Sequence, residues 1–326
     1  MSAFTGSQVL VTGGLGFIGS HLTRKLVSLG AKVTLIDNMF PGGGANLFNV
    51  SDVENKVDVH IMDVKDADKL TDLVKDKDFI FHLAAQTSHE DSMKFPYTDV
   101  EINVLGTLNL LEACRKLNPN ATLVFTGSRG QFGRICKAPV HEEEPKLPID
   151  VNGVSKQTAE SLIKVYGNSY GLKSVCLRLT NTYGPGQPMG NPKQGFVPFF
   201  VSQALNNDEI KIFGDGSQMR DFNYVSDVVE ALVLCAQSKQ ALNESFNIGS
   251  GSPVSVLEIA NIIIELAGAG KLKFVDYPPY WGKIEIGDYT ADISKIKQVL
   301  GWEPKVSLRD GLASMIDHYK KHKNWY

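Results

Sequence analysis

The chain has 326 residues, 43% hydrophobic and 21% charged, which suffices for a large globular domain with a smaller second lobe. Its formal net charge of −3 provides no basic field, which argues against nucleic acid or an anionic membrane as the partner. Its four cysteines are far apart and form no CxxC pair, so we expect reduced thiols, no metal site and a cytoplasmic location. We also expect no signal peptide and no membrane span.

The first predicted element is a strand that ends in a glycine-rich turn. An apolar run over residues 9–11 is followed by Gly13, Gly16 and Gly19, and then by helix-forming sequence. Glycines permit positive φ, and the N–H groups at the start of such a helix can bind a phosphate. A second predicted strand, residues 32–36, ends at Asp37, whose carboxylate can accept both hydroxyls of an adenosine ribose and would repel a 2′-phosphate. The sequence therefore predicts a site for NAD rather than NADP.

Apolar strands continue to alternate with helices through the first half of the chain. The remaining predicted strands are residues 57–62, 79–83, 122–125 and 174–179, and the longer predicted helices are residues 104–116 and 155–170. This alternation predicts an α/β fold with a Rossmann-type, doubly wound parallel sheet, whose ligands bind at the carboxyl ends of the strands.

The composition changes after Asn181, where glycine and proline become frequent and the elements become shorter. We predict a dinucleotide-binding domain over residues 1–180, to which later segments near 222–249 return. The rest of residues 181–326 is predicted to form a smaller, discontinuous C-terminal α/β lobe that binds the substrate.

Several motifs occur in a fixed order along the chain. They are TGGLGFIG (residues 12–19), HLAAQ (82–86), Asn103 with Gly106 and Thr107, Ser155 with Lys156, LRLTNTYGP (177–185) and RDFNYV (220–225). With them the chain resembles, over about residues 9–304, the extended short-chain dehydrogenases that modify nucleotide sugars. The resemblance implies bound NAD, a nucleotide-sugar substrate and a homodimer formed by the helices near residues 103–116 and 155–170.

The resemblance also implies a mechanism, from which this chain departs at one residue. In the family, NAD takes a hydride from a sugar carbon, usually C4, while a tyrosine removes the hydroxyl proton, assisted by a lysine four residues later. A serine or threonine orients that hydroxyl. Ser128 and Lys156 match the family positions, but Asn152 stands where the tyrosine is expected, and an amide cannot act as a base. We consider Lys156 as the proton carrier, directly or through a water held by Asn152. His89 and Glu90 could also reach the site, although we expect His89 to be a solvated loop residue.

The residues after Ser128 discriminate between reaction types. Family dehydratases carry an Asp-Glu pair there, and decarboxylases a Glu in the second position, whereas this chain has Arg129 and Gly130. The sequence therefore favours an isomerase, an epimerase that loses neither water nor carbon dioxide. The alternatives are a dehydratase, a decarboxylase or a reductase of the same fold, or a non-catalytic protein that binds NAD and a sugar nucleotide.

The remaining site residues follow from the resemblance position by position. Those assigned to NAD are Gly13, Gly16, Phe17, Ile18, Gly19, Asp37, Asn38, Asp63, Val64, Ala84, Ala85, Gln86 and Lys156. Those assigned to the substrate are Ser88, Ser128, Arg129, Asn181 and Arg220, the last two for the diphosphate, with residues 194–199 against the nucleotide base. Ser92 and Asn103 either line the sugar or only cap and pack helices. Glu285 replaces a family arginine near the substrate, for which Lys283 could substitute.

Overall fold

The computed structural model describes residues 2–135, 137–190, 195–277 and 286–326. Its strands are β1 (Gln8–Thr12), β2 (Lys32–Asp37), β3 (Val57–Ile61), β4 (Phe79–His82), β5 (Thr122–Ser128), β6 (Lys173–Leu179), β7 (Asn181–Tyr183), β8 (Glu209–Phe213), β9 (Met219–Arg220), β10 (Phe222–Tyr224), β11 (Ser245–Ile248), β12 (Val254–Ser255) and β13 (Lys271–Val275). Its α-helices are α1 (Phe17–Ser28), α2 (Ala67–Val74), α3 (His89–Lys94), α4 (Pro96–Val100), α5 (Gly106–Leu117), α6 (Val151–Tyr170), α7 (Phe196–Leu205), α8 (Val225–Gln237), α9 (Val256–Ala267), α10 (Ser294–Leu300) and α11 (Leu308–His322). A π-helical turn, Glu101–Leu105, joins α4 to α5.

A seven-stranded parallel sheet forms the centre of the molecule, in the order β11-β6-β5-β4-β1-β2-β3. Helices cover both faces, because the central strands are apolar on both sides. On one face, α1 and α8 contribute side chains such as Leu22 and Val228 to a buried core. On the other, α5 and α6 contribute Leu110 and Ile163 to a second core. The α/β fold with a Rossmann-type parallel sheet is confirmed.

The second half of the chain forms a third core and contributes one strand to the main sheet. That core contains Val201 of α7, Ile259 of α9 and Met315 of α11. Strand β11 pairs with β6 and becomes the outermost strand of the sheet. Strand β10, also within the segment expected to return, instead pairs with β7 in a separate two-stranded sheet. The domain boundaries themselves stay a prediction.

Several elements begin earlier or end later than the sequence pattern indicated. Helix α6 begins at Val151 rather than 155, because the Asp150 side chain caps it by accepting the Gly153 N–H at 2.7 Å. Strand β5 runs on to Ser128, three residues past its predicted end. The helix predicted from 104 is preceded by α4 and the π-turn, so the chain is already helical from Pro96. Within the described ranges, no helix is long and apolar enough to cross a membrane.

Candidate active site

A cavity of about 800 Å³ lies at the carboxyl ends of the central strands. Of the residues assigned to a ligand from the sequence, those that line it are Gly13, Gly16, Phe17, Ile18, Gly19, Asp37, Asn38, Asp63, Val64, Ala84, Ala85, Ser128, Arg129, Asn152, Lys156, Asn181 and Arg220. The structure thus brings the proposed cofactor and substrate residues together in one space.

Gln86 and Ser88 are not among the residues that line this cavity, which departs from their assignment to ligands. Ser88 caps α3, since its Oγ accepts the Asp91 N–H at 3.1 Å. Gln86 is held by Asn103, whose amide accepts the Gln86 N–H and donates to the Gln86 carbonyl. Ser92 is fully buried and accepts the N–H of Asn152. Ser92 and Asn103 were considered either as residues that line the sugar or as residues that only cap and pack helices. Their contacts support the second role.

The glycine-rich turn has the geometry of a phosphate cradle. Gly13 has a φ of +72°, and a Cβ there would lie 2.8 Å from the Ala84 nitrogen. A Cβ on Gly19 would lie 2.0 Å from the Gly13 oxygen, so only glycine lets α1 approach the turn this closely. Gly16 is the N-cap of α1 and supplies no side-chain acceptor, which leaves the first N–H groups of the helix for an anion.

The acidic residue at the end of β2 is fixed beside this turn. Asp37 accepts the N–H groups of Met39 at 2.9 Å and Leu15 at 3.1 Å. Burial raises the pKa of Asp37, and the two backbone N–H groups oppose that effect. Next to it, the Asn38 amide donates to the Asp63 carboxylate at 2.9 Å. These residues fit NAD: the N-terminus of α1 would hold the pyrophosphate and Asp37 would hold the adenosine hydroxyls.

Lys156 is buried at the other end of the cavity. Its Nζ donates to the Thr126 carbonyl at 3.0 Å and lies 4.9 Å from the centroid of the Phe125 ring. Burial lowers the pKa of Lys156 to about 8, and the nearby negative charge of Asp99 opposes the decrease. A substantial fraction of this amine is therefore neutral just above neutral pH.

Asn152 lies one helical turn before Lys156, and both N–H groups of its side-chain amide are donated to the protein. Its Nδ2 donates to the Gln86 carbonyl at 2.8 Å and to the Asp99 carboxylate at 3.1 Å. Asp99 is completely buried, and its Oδ1 has no hydrogen-bond partner within the described part of the chain. Asn152 therefore links three backbone segments and fixes the carboxylate that faces Lys156.

His89 is partly solvated, as expected from the sequence, but it does not lie in a loop. It is the first residue of α3, lines the cavity, and its Nδ1 lies 2.7 Å from Oδ2 of Asp150. The His89 side chain is 40% exposed and that of Asp150 only 2%. The loop expectation failed because the pattern shows neither the Ser88 cap of this short helix nor a contact between residues 61 positions apart.

Two arginines lie at the predicted substrate end. Arg129 Nη2 donates to the side-chain oxygen Oδ1 of Asn181 at 3.4 Å, and Arg220 Nη1 donates to the backbone carbonyls of Met219 and Gly287. Both guanidinium groups border the cavity, where they can bind a diphosphate. Positions 194, 283 and 285 lie outside the described residues. Among the residues described, no group of three or more His, Cys, Asp or Glu could hold a metal.

Comparison with known proteins identifies the family. The family model for GDP-mannose 4,6 dehydratase matches residues 10–315. The chain is 37% identical to a putative UDP-glucose 4-epimerase of Methanocaldococcus jannaschii, over 97% of this chain and 99% of the relative. It is 31% identical to UDP-glucuronic acid decarboxylase 1 of Xenopus tropicalis, over 96% of this chain and 72% of the relative.

Solved structures agree with these relatives. An epimerase from Methanothermobacter thermautotrophicus superposes with a TM-score of 0.92 at 30% identity, covering 99% of this chain and 94% of that one. The Thermus thermophilus UDP-glucose 4-epimerase, solved with NAD, superposes with a TM-score of 0.85 at 32% identity, covering 96% and 99%. The chain belongs to the NAD-dependent nucleotide-sugar epimerase/dehydratase family.

Membership in the epimerase/dehydratase family confirms NAD as the cofactor. It does not select one reaction, because the family's members include epimerases, dehydratases and decarboxylases. The residues that sequence reasoning missed are Asp99, Thr126 and Asp150. Of these three, only Asp150 could have been singled out from the sequence, because an acidic residue shortly before a predicted helix indicates an N-cap. That pattern does not indicate a contact with a histidine in the cavity.

Proposed function

We propose that this protein is an NAD-dependent nucleotide-sugar epimerase that oxidises the sugar transiently at C4. The observation that carries the proposal is the absence of an acid next to Ser128, where Arg129 and Gly130 occupy the positions of the dehydratase and decarboxylase carboxylates. Three carboxylates line the described part of the cavity. Asp37 and Asp63 lie at the end assigned to the adenosine, and Glu90 forms an ion pair with Lys94. Elimination and decarboxylation thus lack their usual acid–base groups.

The chain's own residues can perform the steps that such a reaction needs. NAD, when bound, supplies the acceptor for the hydride and returns it. Ser128 Oγ accepts the Gly130 N–H at 3.1 Å, which fixes the hydroxyl and leaves its proton to be donated to a sugar oxygen. Lys156, protonated below a pKa of about 8, places a positive charge that favours an ionised sugar hydroxyl. Arg129 and Arg220 hold the diphosphate and so orient the sugar.

Mass spectrometry of the reaction products tests this proposal. The purified protein is incubated in deuterated water with UDP-glucose, UDP-N-acetylglucosamine, UDP-glucuronic acid and dTDP-glucose, and bound NAD is assayed in the same sample. We expect an isomer of unchanged formula, apart from any deuterium exchanged beside a ketone. A product lighter by water or carbon dioxide would identify a lyase. Bound NAD and sugar nucleotide without any conversion would identify a binding protein.

We also propose that two copies associate through α5 and α6. These helices present large apolar side chains to solvent, among them Leu117 (42% exposed), Val154 (49%), Val165 (53%) and Tyr170 (53%). Exposed large apolar side chains on two neighbouring helices are typical of an interaction surface. Sedimentation of the wild type and of Val165→Glu measures this: a dimer is expected for the first and a monomer for the second.

A further inference from the structure

We propose that His89, oriented by Asp150, takes the proton that the tyrosine takes in the rest of the family. This inference rests on the proposed function and names the group that performs its acid–base step. Asp150 would be a positioning residue, since it contacts His89 rather than the sugar.

The geometry of the pair is that of an oriented imidazole. Asp150 is almost completely buried, and each of its oxygens has a fixed partner: Oδ1 accepts the Gly153 N–H at 2.7 Å, and Oδ2 lies 2.7 Å from His89 Nδ1. Burial alone would raise the pKa of Asp150, but the hydrogen bonds from His89 and from the Gly153 N–H lower it. A carboxylate at this place holds the proton on Nδ1, so the lone pair is on Nε2.

The His89 ring can lie close to Ser128 because residue 130 is a glycine and has no side chain. A Cβ built on Gly130 would lie 2.9 Å from His89 Cε1 and 3.5 Å from Ser128 Oγ. The imidazole and the serine hydroxyl therefore lie beside the space that a side chain at position 130 would fill, and both residues line the cavity. Gly130 is also the position at which the related lyases are expected to carry a glutamate. The His89 ring thus lies where that side chain would be, next to the Ser128 hydroxyl that we propose binds the sugar.

The neighbouring polar groups are engaged in other contacts. Both N–H groups of the Asn152 amide are donated, to Gln86 and Asp99, so this side chain is committed to the protein. Lys156 Nζ donates to the Thr126 carbonyl and is half-protonated near pH 8. The imidazole of His89 is a base, and the Asp150 carboxylate orients it. Other enzymes use a histidine oriented by a carboxylate to take the proton of a hydroxyl.

The proposed step balances in atoms and electrons. The O–H and C–H bonds at C4 would break and a C=O bond would form, the proton moving to Nε2 of His89 and bound NAD supplying the acceptor for the hydride. The keto sugar would then turn its other face to the cofactor or epimerise at a neighbouring carbon, after which hydride would return to C4 and the proton would return from Nε2 to oxygen. No other oxidant or reductant is required.

The experiment uses His89→Asn, His89→Ala and Asp150→Asn in the NAD-loaded protein, with UDP-glucose or whichever nucleotide sugar the wild type converts. Asparagine at 89 retains an N–H donor near the position of Nδ1 but has no basic nitrogen. His60→Asn is the matched control, because His60 forms a similar pair with Asp58, at 2.8 Å, on the exposed β3. The readouts are the first-turnover absorbance of reduced nicotinamide, sugar-nucleotide affinity by calorimetry, and rescue of His89→Ala by added imidazole.

We expect the first-turnover rate to fall about 10²- to 10⁴-fold in His89→Asn and His89→Ala, with sugar-nucleotide affinity and the His60→Asn control unchanged. Asp150→Asn should fall as well, because the amide no longer fixes the tautomer. Imidazole should raise the rate of His89→Ala at least about tenfold. A His89→Asn rate within about threefold of wild type overturns the dyad and leaves the epimerase proposal standing. A loss that imidazole does not rescue, together with weakened substrate affinity, overturns it as a structural effect. A wild type that forms neither reduced cofactor nor epimer overturns both proposals.

Discussion

Gly130→Ala tests the position of His89 without removing any functional group. The new Cβ would lie 2.9 Å from His89 Cε1, whereas ordinary contacts of a Cβ lie at 3.4–4 Å. The atom that the new Cβ would meet is at the far end of the His89 side chain, so we expect the imidazole ring to move by about 0.5 to 1 Å while the backbone keeps its fold. A displacement of about 1 Å in a catalytic group costs about 10²-fold in rate, so we expect a loss of about ten- to a hundredfold.

The assay is the first-turnover rate of nicotinamide reduction, measured for Gly130→Ala in the wild-type and the His89→Asn backgrounds. If the glycine acts by making room for the imidazole, the substitution costs much in the first background and less than about twofold in the second. A crystal structure of the variant should show the ring turned away from Ser128. An equal loss in both backgrounds, or no loss in the wild type, would refute the reasoning.

Three further predictions concern the cofactor, the buried ion pair and the lysine. Gly19→Ala should reduce NAD affinity at least about tenfold, measured by fluorescence titration, since its Cβ would meet the Gly13 oxygen at 2.0 Å and displace the cradle. Arg178→Met should lower the free energy of unfolding by about 3–5 kcal/mol in urea, because it removes the buried cation beside the Glu160 carboxylate and leaves only the half-exposed Lys164, 3.2 Å away. Burial raises the pKa of Glu160, but Arg178 outweighs it and the pKa falls from 4.5 to about 2. The contribution of this pair is therefore complete above about pH 4.5 and is lost toward pH 2, so Glu160→Gln should unfold with a weaker acid dependence than wild type. Lys156→Met should retain sugar-nucleotide binding by calorimetry while nicotinamide reduction falls at least about tenfold; full turnover in this variant would contradict its electrostatic role.

The cofactor half of the site was predictable because its signals are local. Three glycines in one turn and Asp37 at the next strand end lie close in sequence. The close approach of the backbone requires glycine in the turn, and the hydroxyls of an adenosine ribose favour an acid at position 37. The parallel sheet followed in the same way from apolar runs that alternate with helices.

The acid–base end was not predictable, because its contacts join distant segments. His89 meets Asp150 across 61 residues and Asn152 meets Asp99 across 53. Periodicity does not encode such side-chain pairs. The pattern showed only that the expected tyrosine was missing at 152 and that no acid followed Ser128. The space above Gly130, which connects these two observations, exists only in the folded chain.

The contact between Asn152 and Asp99 constrains how this sequence can evolve. A tyrosine placed at position 152 would remove the donor that the buried Asp99 carboxylate now has, while the Gln86 carbonyl would keep only its hydrogen bond from Asn103. An abandoned buried acceptor costs about 1–3 kcal/mol, and more when it is charged. A single substitution of Asn152 by tyrosine is therefore penalised through Asp99. A second change at position 99 would relieve that penalty, so we expect positions 99 and 152 to be energetically coupled and to vary together.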